Sequence, residues 1–92
     1  MALQITQIRD MFVVMGELNS TNIEILNRHM KRHIRSGYPV TLNLERIKGM
    51  DAIATKVIQQ MVEWAMYKNS RLSVQGLGTE QIMPMLNRVK TA

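Results

Sequence analysis

The chain has 92 residues, with 12 Lys+Arg against 7 Asp+Glu, a formal net charge of +5 and no cysteine. A disulfide framework, a thiolate zinc site and a cysteine nucleophile are thereby excluded. The length suits one domain over residues 1–92, without room for separate catalytic and cofactor halves. Hydrophobic residues at 46% and charged residues at 21% make a globular composition. No apolar run approaches the ~18 residues that a membrane helix needs. The opening MALQITQIRDMF places the Arg9-Asp10 charge pair where an export signal has its apolar centre. An intracellular, cytoplasmic protein without membrane insertion is expected.

Leu3 to Ile8 and Met11 to Leu18 read as two short strands joined tightly at Arg9-Asp10. Asn19-Ser20 offers a helix cap before Ile23, Leu26, Met30 and Ile34, which recur at helical spacing. Gly37 is the expected stop, with Pro39 already beyond the helix. Val40 to Leu44 alternates as a strand, and a second helix is predicted from about Ala52 to Lys68. Leu72 to Gly76 reads as another strand, and a last helix is predicted from near Thr79 to near Val89, its first turn distorted by Pro84. The order β-β-α-β-α-β-α, with strands polar on one side, predicts an α/β two-layer domain. Its mixed sheet should have about four to five strands, with the helices mainly on one face. The parallel pairs would come from right-handed crossovers and the antiparallel pair from the N-terminal hairpin.

Positive charge concentrates in Arg28, Lys31, Arg32 and Arg35, which cover about 100° of the first helix opposite its apolar stripe. No aromatic residue is interleaved with them in sequence, so a solvated helix face is favoured over a nucleic-acid surface. His29 and His33 have the spacing of half a metal site, but no third ligand stands at a recognisable spacing and no metal or cofactor is expected. The nine methionines read as core filling, with Met11, Met15, Met30 and Met61 at strand or core-facing positions. No serine has a histidine or acid at motif spacing, and GLGT at Gly76 to Thr79 matches no nucleotide loop. Catalysis is not expected.

The second helix carries a surplus of apolar residues. Ala54, Val57, Ile58, Met61, Val62, Trp64, Ala65 and Met66, with Ile53, span about 220°, where one buried face needs little more than 100°. Val62 and Met66 lie on one flank, Ile53 and Trp64 on the other. Either neighbouring helices cover these flanks or they form an exposed strip that docks a partner. Ile25, on the polar side of the first helix, is a second stray contact candidate.

FVVMGELN, an amphipathic helix, VTLNLERIKGMDAIA, a second helix and RLSVQGLG together resemble a STAS domain, the domain of bacterial anti-sigma factor antagonists. The resemblance runs from about Leu3 to Val89. It implies a protein partner, a switch kinase that is also the anti-sigma factor, seated on the loop and first turn after Asp51. In phospho-regulated members a serine follows that aspartate; here the position holds Ala52, so no phosphorylation is expected there. Ala54 stands where glycine is usual, and Asn19 and Asn43 where the family often has aspartate. The implied partner-binding residues are Met50, Asp51, Ala52, Ile53, Ala54 and Thr55, with Val62 and Met66 on the adjoining flank. The alternatives are a STAS subunit of an ATP-driven lipid-type transporter, a small basic nucleic-acid-binding α/β domain, and a homodimer formed through the apolar flank.

Overall fold

The structure, a computed structural model, describes residues 3–76. The elements are β1 (Gln4–Ile8), β2 (Met11–Leu18), α1 (Ile23–His33), β3 (Pro39–Met50), α2 (Ala52–Tyr67) and β4 (Arg71–Gln75). They form one four-stranded sheet in the order β1-β2-β3-β4. The hairpin pair β1/β2 is antiparallel, and the β2/β3 and β3/β4 pairs are parallel. The expected mixed α/β architecture is therefore present. The helix predicted over Thr79 to Val89 lies outside the described residues.

Both crossovers step the sheet in the same direction, so the usual right-handed sense puts α1 and α2 on one face. Burial agrees with this placement. Phe12, Val14 and Leu18 of β2, Val40, Leu42 and Leu44 of β3, and Leu72 and Val74 of β4 are buried with Leu26 and Met30 of α1 and Ile58, Met61 and Ala65 of α2. The residues between them in β2 and β3, including Met11, Val13, Met15, Thr41 and Asn43, point to the other face and are half-buried. Met30 and Met61 fill the core as expected of soft apolar side chains, whereas Met11 and Met15 lie half-buried on the opposite sheet face.

Two boundaries differ from the sequence reading. β3 runs to Met50 because two register shifts against β2 absorb extra residues: Val13 pairs with Asn43, but Met15 pairs with Arg46. Such bulges break the two-residue alternation that marks a strand in sequence. α1 starts at Ile23, after Asn22 rather than Asn19. Asn19 and Asn22 instead stitch the preceding turn: Asn19 Oδ1 accepts from the Thr21 N–H at 3.0 Å, and Asn22 Oδ1 accepts from the Asn19 N–H at 3.0 Å. Gly37, at φ +84°, shapes the turn after α1 rather than ending the helix itself, which stops at His33.

Candidate functional site

The start of α2 sits where β3 ends, at the same pole of the sheet as the end of β2. Asp51 holds it there. Its Oδ1 accepts the Ala54 N–H at 2.8 Å, giving the helix the side-chain cap expected from sequence. Its Oδ2 accepts the Ser20 N–H at 3.1 Å, and its own N–H donates to Leu18 O at 3.1 Å. The carboxylate thus ties the β2–α1 turn to the first turn of α2. The Thr55 hydroxyl donates to the Asp51 carbonyl at 3.1 Å and closes the same turn.

Around this anchor, Asp51, Ala52 and Ile53 are exposed, Ile53 by 56%, and Met50 and Thr55 are half-buried. A hollow of about 370 Å³ lies beside them, lined by Met50, Ala52, Thr55, Lys56 and Gln59. Two of the expected contact residues are not on this surface. Ala54 and Val62 are fully buried in the core and have no face to offer a partner. Ala54 shares the core-facing stripe of α2 with Ile58, Met61 and Ala65 at helical spacing. Val62 projects about 40° nearer than Met66 to the centre of the buried stripe of α2 and falls at its edge. Met66, one turn further on, remains 42% exposed. Of the opposite flank, Ile53 is exposed, while Trp64 is half-buried beneath Lys31 Nζ at 5.1 Å and Lys68 Nζ at 5.4 Å from its ring centre. Ile25 is exposed on α1.

The asparagines that stand where the resemblance leads one to look for aspartate still act as acceptors. Asn43 Oδ1 accepts the Glu45 N–H at 2.8 Å inside the β3 bulge, and Asn19 Oδ1 accepts from Thr21 as described. An amide oxygen does this without adding a charge.

His29 and His33 form a ring cluster on Phe12. Phe12 and His29 are edge-on with centroids 5.5 Å apart, and Phe12 and His33 are 4.8 Å apart. His33 Nδ1 lies 2.9 Å from the His29 carbonyl, which only accepts, so Nδ1 is the donor. Burial, then the positive charge of His33 and Arg32, holds the His29 pKa below its ordinary value. Among the described residues no group of three His, Cys, Asp or Glu side chains could hold a metal ion. No described helix is long and apolar enough to cross a membrane.

No family profile matches the sequence, and no curated protein matches it. Solved structures do. Mglu is 19% identical with a TM-score of 0.64, covering 82% of this chain and 19% of its own. The chain therefore spans about a fifth of the length of the Mglu protein it matches. An uncharacterized DUF3478-family protein with a SpoIIAA-like fold, from Shewanella loihica PV-4, is 14% identical with a TM-score of 0.54 over 96% of this chain and 78% of its own. The anti-sigma factor antagonist SpoIIAA in its unphosphorylated form is 18% identical with a TM-score of 0.51, over 99% of this chain and 100% of its own. Identities this low carry the fold and nothing finer. The described residues build an α/β fold of the SpoIIAA, or STAS-like, type, with a mixed four-stranded sheet and two helices.

Proposed function

We propose that this chain is a non-catalytic protein-interaction module of the anti-sigma factor antagonist kind. It docks a regulatory, kinase-like ATPase through the start of α2 and works in the cytoplasm. The observation that carries the reading is the exposed Ala52–Ile53 pair, on a turn hydrogen-bonded by Asp51 and flanked by the hollow at Met50, Thr55 and Lys56. A small neutral residue followed by an aliphatic one is a surface that association can desolvate at little cost. The likeness in fold to SpoIIAA, an anti-sigma factor antagonist, supports a protein partner.

Docking is not switched by phosphate at this position. A phosphoryl group would bring about −1.5 to −2 charges to the contact, and Ala52 has no hydroxyl to accept one. The Thr55 hydroxyl, one turn on, is engaged with the Asp51 carbonyl.

Ala52→Glu tests the reading. An acid in the first turn interacts favourably with the helix dipole, so folding should persist. Wild-type and Ala52→Glu chains are used side by side as bait in extract from the source cell, with mass spectrometry of what binds. A kinase-like ATPase captured by the wild type and lost by the variant, with identical circular dichroism spectra, is the expected result. Equal capture by both chains would remove this surface from the function.

A further inference from the structure

The parallel crossovers run α1 and α2 in the same direction, so both helices end at the pole where β2, β3 and β4 begin. Short contacts join the segments there: Gly37 N–H to Asn69 O at 3.2 Å, Thr41 N–H to Asp10 O at 2.8 Å, and the Ser70 hydroxyl to Tyr38 O at 2.8 Å. This is the end opposite Asp51. It gathers Arg9, Lys31, Arg32, Arg35, Lys68 and Arg71. The acids near it are Asp10 and, one turn back on the outer side of α2, Glu63. The other described charges cancel: Arg28, Arg46, Lys48 and Lys56 stand against Glu17, Glu24, Glu45 and Asp51. All of the excess positive charge of the described residues therefore sits at one end of the molecule.

Basic side chains at helix C-termini have an ordinary role, since they offset a dipole end worth about half a charge. Two helix ends account for roughly one of the surplus charges here, and about three remain. Aromatic residues occupy the same pole, which the sequence order concealed. Tyr38 is 63% exposed with the Arg35 guanidinium 5.8 Å from its ring, and Tyr67 is 86% exposed at the last turn of α2.

The cations form two rows. Arg9 and Arg71 flank Tyr38 and Pro39 along the sheet layer, and the ends of α1 and α2 make the second row. Two rows across a layered end suit a flat anionic surface better than one strand followed along a groove. Exposed tyrosines among arginines and lysines are the side chains that settle at the boundary of headgroups and water. We propose that this basic, tyrosine-bearing pole binds the surface of an anionic lipid bilayer peripherally, leaving the Asp51 pole facing away from the membrane. The cytoplasmic leaflet supplies such a surface, and each cation brought close to it strengthens binding by about fivefold.

The full chain is sedimented with vesicles of pure phosphatidylcholine and with vesicles containing roughly one-third phosphatidylglycerol. Binding to the anionic vesicles alone, lost on adding salt, is expected. Arg9→Glu with Arg71→Glu should weaken it at least tenfold, and Tyr38→Ser with Tyr67→Ser several-fold at unchanged net charge. Arg46→Glu with Lys48→Glu, both exposed on β3, makes the same change of charge away from this pole and should leave binding within about twofold. Circular dichroism checks that each variant is folded. Equal binding to both vesicle types, equal damage from the two charge-reversal pairs, or no vesicle binding while a labelled oligonucleotide is bound and released by Arg9→Glu with Arg71→Glu, would each overturn the proposal.

Discussion

Asp51 and Ser20 lie 31 residues apart and meet through a 3.1 Å hydrogen bond from the Ser20 N–H to Asp51 Oδ2. The other carboxylate oxygen caps α2 at Ala54, so one side chain fixes both the turn leaving β2 and the helix leaving β3. Asp51→Ala removes both acceptors and leaves two backbone donors to find water. The cap contributes about 1 kcal/mol and the second bond a similar amount, so a loss of about 2 kcal/mol is expected. Asp51→Asn keeps one acceptor oxygen and should lose about half as much. Urea unfolding at constant m-value measures both; an unshifted midpoint for Asp51→Ala would show that the two bonds do not stabilise the fold.

Gly76 follows β4 at φ +103°, and a Cβ placed on it would stand 2.4 Å from Glu45 N and 2.8 Å from Glu45 Cα. Both are backbone atoms of the β3 bulge, whose position is set by the Asn43 Oδ1 bond to the Glu45 N–H. Neither can withdraw cheaply. Gly37, at φ +84°, has open space around it. Gly37→Ala should therefore cost only the backbone strain, about 1 kcal/mol, and Gly76→Ala more than about 2 kcal/mol. Thermal or urea unfolding of the two variants separates strain from collision, and equal losses would contradict the close approach at Gly76.

The sheet, both described helices and the Asp51 cap were legible because each has a local signature. Ile23, Leu26 and Met30 repeat at helical spacing, Val40 to Leu44 alternates, and an aspartate precedes the apolar run of α2. The far half of β3 was not legible. From Glu45 onward its alternation is broken by bulges that make sense only against β2, some 30 residues earlier. Periodicity showed that α2 has more apolar surface than one sheet face needs, but it could not say which flank the rest of the chain would cover. Val62 and Met66 therefore looked alike in sequence, and one proves buried while the other is exposed. The basic pole was hidden for a similar reason. Arg9, Tyr38 and the Tyr67–Arg71 pair belong to three separate connections, and only the parallel crossovers bring them to one end.

The His29 ring makes stability depend on pH. Burial, His33 and Arg32 all lower its pKa in the folded state, so the unfolded chain binds the proton more readily. The contribution of the neutral ring is complete above the ordinary histidine value of about 6.5 and declines as the pH falls through and below it. Wild-type Tm should fall between about pH 7.5 and pH 5, and His29→Gln should show a smaller fall over that interval. An identical pH dependence in the two proteins would mean that His29 titrates alike in both states.

The proposed docking surface is best tested by setting one apolar residue of α2 against another. Ile53 is exposed in the first turn, and Val62 is sealed into the core. Ile53→Ala removes surface that a partner would bury, yet alanine is the better helix former, so stability should stay within about 0.5 kcal/mol. Val62→Ala deletes buried carbon and leaves a cavity, costing about 2 kcal/mol. Binding should respond in the opposite order. Once a partner is in hand, titration calorimetry should show Ile53→Ala weakening the complex about tenfold or more, as truncating a central apolar contact does. Val62→Ala should bind with wild-type affinity wherever it is fully folded. If the less stable variant were also the weaker binder and Ile53→Ala bound normally, the partner would be reading the integrity of the fold rather than the start of α2, and the contact would have to be sought elsewhere on the molecule.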